Sequence, residues 1–382
     1  MTDWTVTTRR FEIFIDREAR ASSPLYTALC QYVTDDLAAG GYFTEVLAQA
    51  PERQRIPNLL FASVHRALFD HPEDALAEYY PSLDGSREPD GELPKAFTTF
   101  VAAHRAEIDQ RLAAGETQTN EVQRSAQLLP AFSWVQAVTR RPLGLIEIGP
   151  SAGLLLHTDR YDYRYEFSDG SILPGGGASA DGVPTLHCPV HGECTPDQLA
   201  AFVTKPLRIS SRVGLDLNPL DPSDPEARAW LRALVWPEHV ERRERLEAAL
   251  EHAARRPVRL RKGDAVKILG DAVDSVADNS IPCVFVSNSL PHWSAEGRAE
   301  LVRLCRELGG RRDLVFILKE AHRIGLGLFS GRPDPAAADG NDVHEVLGAV
   351  VYLGGHERLF RLGAAGMHGS WLEWSPQPLP SA

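Results

Sequence analysis

The chain has 382 residues, 43% of them hydrophobic and 24% charged, a globular composition able to bury a sizeable core, which excludes disorder over most of its length. Fifty-two acidic against forty basic residues leave a formal charge of -12, and that field repels polyphosphate and anionic lipid, so nucleic acid is not an expected partner. No stretch approaches the roughly 18 apolar residues of a membrane span, Met1 to Arg10 lack a signal-peptide core, and the five cysteines are too scattered for a disulfide framework; a cytoplasmic protein is expected.

From Phe11 to about Arg140 the chain reads as amphipathic helices. Apolar residues recur at spacings of three and four in Leu25, Leu29, Tyr32 and Val33, and again in Leu59, Leu60, Val64 and Leu68. Pro51 to Pro57, Pro81 to Pro94 and Gly115 punctuate the run, which predicts an all-helical cap domain over residues 1–140. After Pro142 the period changes. Short apolar runs at Leu143–Ile148, Val213–Leu217, Val258–Arg261, Cys283–Ser287 and Leu314–Leu318 read as buried parallel strands. Helical stretches at 225–235, 239–254, 265–276 and 294–308 separate the later ones, which predicts a doubly wound α/β domain over residues 141–382. Two further strands, Ala349–Leu353 and Trp371–Trp374, suit an antiparallel pair at the sheet edge. The Gly- and Pro-bearing segment at about 161–212 reads as an insertion with short strands.

The strongest local signal is Leu145-Ile146-Glu147-Ile148-Gly149-Pro150-Ser151-Ala152-Gly153, a strand followed by a turn with two glycines and an apolar helix start. Such a turn lets a ligand approach the backbone at a helix N-terminus. It is not the dinucleotide fingerprint, because Ser151 stands where the middle glycine would be. Asp216 ends the next recognisable strand in Gly214-Leu215-Asp216-Leu217-Asn218-Pro219, and a carboxylate is what a ribose diol requires, since its two oxygens accept from adjacent hydroxyls. Gly263-Asp264-Ala265 and Ser287-Asn288-Ser289-Leu290-Pro291-His292-Trp293 close the next two strands.

In these four strand ends, taken in order, the sequence resembles the class I S-adenosylmethionine-dependent methyltransferase superfamily. The resemblance implies a Rossmann-like, seven-stranded, mostly parallel sheet, S-adenosylmethionine as cofactor, and methyl transfer to an oxygen or nitrogen of a small molecule. It implies that Glu147, Gly149, Ser151 and Gly153 line the methionine and ribose side, that Asp216 and Asn218 hold the ribose, and that Asp264 and Ala265 read the adenine. Asn288, His292 and Trp293 would face the reacting end, with His292 as proton acceptor. Gln118, Asn120 and Glu121, just ahead of the first strand, would bind the methionine end or the substrate; a helix-capping role for this polar segment stands beside that reading. The resemblance departs in one place, because Gly153 to Val213 is about three times the roughly 20 residues of an ordinary crossover. Spacing alone nominates Glu166 as the ribose acid, and both carboxylates stay open.

Over nearly its whole length the chain also resembles a group of uncharacterised bacterial proteins, through Pro57-Asn58-Leu59-Leu60-Phe61, Tyr79-Tyr80-Pro81-Ser82, Thr117-Gln118-Thr119-Asn120-Glu121-Val122 and Val235-Trp236-Pro237. Cys188, His191 and Cys194 stand at zinc-like spacings of three, yet no fourth ligand is evident, so no metal is expected there. No nucleophile elbow and no phosphate loop occur. Two other function classes compete with methyl transfer: a non-catalytic protein holding S-adenosylmethionine or a nucleoside, and a nicotinamide oxidoreductase, which Ser151 disfavours. The sequence does not specify the oligomeric state.

Overall fold

A computed structural model describes residues 4–114, 117–118, 120–176, 182–333 and 344–380. The chain divides into two compact units, one made of residues 1–119 with 224–247 and the other of residues 120–223 with 248–382. The first carries α1 (Thr5–Phe14), α2 (Pro24–Ala38), α3 (Tyr42–Leu47), α4 (Pro57–Asp70), α5 (Leu93–Ala103) and α6 (Arg105–Ala114). Proline falls in the first turn of α2, α4 and α5, where its fixed φ suits a helix and its missing N–H costs nothing. The prolines that punctuate the sequence therefore start helices as well as separate them. Ser23 caps α2 by accepting from Tyr26 N–H at 3.0 Å, and its hydroxyl donates to Glu238 at 2.8 Å. The core of this unit is aromatic, with Phe61 at the centre of Phe11, Phe14, Tyr26 and Phe97.

The second unit is built on α7 (Ser125–Thr139), β1 (Leu143–Ile148), β2 (Asp162–Glu166), β3 (Ile172–Gly176), β4 (Thr185–His191), α8 (Pro196–Val203) and β5 (Ile209–Asp216). After the helical segment that belongs to the first unit, it resumes with β6 (Arg259–Lys262), β7 (Ile281–Ser287), β8 (Leu314–Glu320), β9 (Glu345–Leu353), β10 (His356–Ala365) and β11 (Leu372–Pro378). All strands join one 11-stranded sheet in the order β3-β2-β4-β11-β10-β9-β8-β7-β1-β5-β6. β1, β7 and β8 are buried along their whole length, which explains why they read as unbroken apolar runs.

This architecture corrects the expectation of a Rossmann-like, seven-stranded, mostly parallel sheet of methyltransferase type. One parallel block is β6-β5-β1-β7-β8, with Ile146 of β1 opposite Val213 on one side and Val284 on the other, and a second is β2-β4-β11. β9 then runs antiparallel to β8, and β10 antiparallel to β9. The two late runs at 349–353 and 371–374 do not pair with each other, because β10 lies between them and β11 pairs onward with β4. The strand missing from the sequence reading is signalled by Gly354-Gly355, both at positive φ, a two-residue hairpin loop that lets β9 fold straight back. The insertion supplies β2, β3 and β4, which add to the sheet through β11 instead of standing apart.

The sheet is long enough to fold over α7. Phe132 packs edge-on against Phe285 of β7 at 5.0 Å, Trp134 meets Phe360 of β10 at 4.9 Å, and Tyr165 of β2 donates its hydroxyl to Ala126 O at 2.8 Å. Residues 125–135 are accordingly all buried, so α7 has no polar face and its periodicity is that of a core helix. The opposite edge strand, β6, reads Arg-Leu-Arg-Lys, and its charges oppose pairing with another chain.

Candidate functional site

In the parallel core the chain adds strands to one side of β1 and then crosses to add them on the other, so a topological switch point lies between β1 and β7. In open α/β sheets, ligands bind outside the carboxyl ends of the strands at such a point. Three backbones there have positive φ within five residues: Gly149 (+72°), Ser151 (+50°) and Gly153 (+72°). Ser151 in the left-handed region is uncommon for a residue with a Cβ and is held by its neighbours. Its N–H donates to Asp216 Oδ2 at 2.9 Å, its carbonyl accepts from Leu220 N–H at 3.1 Å, and its hydroxyl accepts from Asn120 Nδ2 at 2.5 Å. Asp216 Oδ1 accepts from Asn218 N–H at 2.8 Å, while Asn120 Oδ1 accepts from Ala152 N–H at 3.2 Å. The structure therefore brings Asn120, Ser151, Asp216 and Asn218 together. Asp216 is half-buried and each of its oxygens keeps acceptor capacity beyond one backbone bond.

The glycines have packing roles. A Cβ on Gly149 would collide with Ser289 Oγ, and one on Gly153 would sit 3.0 Å from Val258 Cγ2. The segment that follows, Leu154–Arg160, is a short 3₁₀ helix and not the α-helix the turn predicts, so the α-helix N-terminus expected beside a ligand is not formed there.

Beneath the turn lies a set of buried charges. Arg124 donates to Ser287 O at 2.6 Å and to Glu121 O at 3.3 Å, and it faces Glu345, Glu121, Glu147 and Glu320. Lys319, fully buried, forms an ion pair with Glu345, and Asn288 bonds to the same carboxylate. Glu320 Oε1 accepts from Ser289 N–H at 2.9 Å and Leu290 N–H at 3.1 Å, leaving Oε2 without a hydrogen-bond partner among the described residues. Glu147 Oε2 is likewise buried without a hydrogen-bond partner among the described residues.

Two cations thus face four buried carboxyls, and burial disfavours the charge on Arg124 and on Lys319. Burial pushes Glu147 up to about 8, with the nearby Arg124 opposing and Asp216 adding to the rise. Burial pushes Glu320 up to about 7, against the two backbone N–H groups that favour its ionised form. Burial also lowers the Lys319 ammonium, with Glu345 holding it up. A carboxyl poised near neutrality beside a strand switch point is suited to passing a proton or to accepting a cationic ligand group.

The other predicted residues stand on other elements, and Gly263, just before Asp264, donates its N–H to Asp216 O at 2.8 Å. Asp264 caps the helix Ala265–Asp274, accepting from Val266 N–H at 3.1 Å, and Ala265 is buried as the first residue of that helix. His292 is exposed on the short turn after β7, and Trp293 packs partly buried against the sheet core. Glu121 is buried and caps the turn 122–124 through Gln123 N–H, a capping role, whereas Gln118 belongs to the helical unit. Glu166 pairs with His187 at 2.8 Å and has no bond to the Gly149–Gly153 turn; Asp216 is the carboxylate that meets that turn. Cys188 points inward from β4, while His191 lies on the other face of the strand, stacked on Trp371 at 5.1 Å, so the two cannot share an ion.

Sequence reasoning missed Arg124, Lys319, Glu320 and Glu345. The available signal was a Lys-Glu pair ending the otherwise apolar run Leu314–Leu318, a charge where a buried strand has no reason to carry one.

Fold and site together define an α/β protein with a buried ionic centre at the carboxyl ends of its parallel strands. The chain belongs to the family described as "Uncharacterized protein conserved in bacteria (DUF2332)", whose model matches residues 8–374. No curated protein matches it. No helix among the described residues is long and apolar enough to cross a membrane.

Proposed function

We propose that this is an S-adenosylmethionine-dependent enzyme that methylates an oxygen or nitrogen of a small molecule in the cytoplasm. The observation that carries the reading is the pairing of Asp216, tied to Ser151 and Asn218 with acceptor capacity to spare, with the unpartnered buried oxygen of Glu147 one strand away. The donor set fits the group: Asp216 suits a ribose diol, and Glu147 Oε2 suits the methionine ammonium, whose charge would draw the carboxyl back to its ionised form. Bound there, the cofactor supplies a methyl group on a positively charged sulfur.

The residues of the sheet unit would orient and exclude water. Ser151 and Asn120 hold the turn in its left-handed form, Asp264 and Ala265 offer an acceptor and a backbone N–H to the adenine edge, and Asn288 ties the reacting end to Lys319 and Glu345. His292, beside the apolar wall of Trp293, is the solvent-facing proton acceptor, with Glu320 as the buried one. Calorimetry with S-adenosylhomocysteine tests the binding half: Asp216→Ala should weaken it by roughly 1–3 kcal/mol, because two charge-assisted bonds are lost. Unchanged affinity in Asp216→Ala with a large loss in Glu166→Ala would move the ribose site to Glu166. Binding without turnover of a metabolite extract would leave a nucleoside-binding protein in place of an enzyme. Where turnover is found, His292→Ala should lower kcat by about 10²–10⁴-fold if His292 is the base.

A further inference from the structure

The helical unit holds a second cluster, independent of the sheet. His71 ends α4, His104 joins α5 to α6, and Glu107 lies in the first turn of α6. The helix pairing brings them together although 33 residues separate the two histidines in sequence, as their numbers show. Glu107 Oε1 stands 3.1 Å from His104 Nδ1 and 3.4 Å from His71 Nε2, and the three ligand atoms lie within 4.8 Å of one another. The imidazole rings face each other with centroids 3.9 Å apart.

We propose that His71, His104 and Glu107 bind a divalent transition-metal ion, zinc by preference. Ligands held about 2.0–2.2 Å from a tetrahedral zinc stand about 3.3 Å from one another. The two measured separations from Glu107 match that edge, and a small rotation of the facing rings closes the third. Two imidazole nitrogens converge on a single carboxylate oxygen, the convergence of lone pairs that three ligands around one ion require.

The surroundings also fit. The remaining oxygen of Glu107 has Arg111 at 4.0 Å, and the other ring nitrogen of His71 has Glu73 at 4.0 Å, so the outward carboxylate oxygen faces a guanidinium and the outward ring nitrogen a carboxylate. Phe100, fully buried, packs tilted against His104 with ring centroids 4.4 Å apart and walls one side. The three residues are half-buried, which leaves an open position for water or an exogenous ligand.

The test is calorimetric titration of the full-length protein, stripped with chelator, with zinc, repeated with cobalt for its absorption spectrum. The expected result is one tight equivalent and a tetrahedral cobalt spectrum. Glu107→Gln, which preserves shape, should weaken binding on the order of a hundredfold or more, since even second-shell losses cost about 10- to 100-fold. His104→Ala should do the same with an unchanged circular dichroism spectrum, and Cys188→Ser should change nothing. Absence of a tight equivalent, wild-type affinity in Glu107→Gln, or loss of binding in Cys188→Ser would each overturn the assignment.

Discussion

Glu147→Gln isolates the cost of a buried carboxyl. Burial places the Glu147 carboxyl at about 8 in the folded chain, against an ordinary value of 4.5. Because the folded value is the higher one, the contribution is fully present below about pH 4.5 and is lost as pH rises through about 8. At about 1.4 kcal/mol per decade, that separation corresponds to a loss of order 4–5 kcal/mol across the window, an upper figure that any water reaching the site reduces. Glutamine has nearly the same shape and never ionises, so the variant lacks this pH dependence while sharing that of every other group. Urea unfolding of both proteins between about pH 5 and pH 8.5 should therefore give a stability difference that moves in favour of the variant by several kcal/mol as pH rises. Parallel curves would refute the reasoning and mean that Arg124 keeps Glu147 ionised throughout.

Lys319→Met should cost about 3–5 kcal/mol by stranding the Glu345 carboxylate, and the double variant Lys319→Met/Glu345→Leu should recover much of it; equal losses in urea unfolding would show that the pair is not the source. Gly149→Ala should lower stability by roughly 1–3 kcal/mol, combining positive φ with a collision at Ser289. Ser289→Ala in the same chain should restore only the collision part, as thermal melts would show.

The elements legible in the sequence are those whose burial is complete or one-sided. The runs at 143–148, 283–287 and 314–318 became β1, β7 and β8 because a strand covered on both faces must be apolar throughout. The helix pattern at 265–276 became the helix Ala265–Asp274, whose buried Ala265, Leu269, Ala272 and Val273 follow the helical period. The strands of the insertion were less legible, since β2 and β4 alternate and β3 ends in Pro-Gly-Gly.

The candidate site divides in the same way. Gly149, Ser151 and Asp216 stand out in the sequence because each follows a strand end, where chain direction leaves few places for polar groups. Arg124, Glu147, Lys319, Glu320 and Glu345 acquire their chemistry from one another, and they come from four separate elements.

By itself, then, the sequence determined which segments are helix and which are buried strand in the parallel core, because local period and composition encode burial directly. Only the tertiary structure decided how many strands share the sheet, whether α7 would be enclosed, and which carboxyls would sit near neutrality. Strand pairing joins residues distant in sequence, as when β11 meets β4, and burial shifts a titrating group only once every surrounding element has closed over it. Neither quantity is a property of a segment, so no local pattern can carry it.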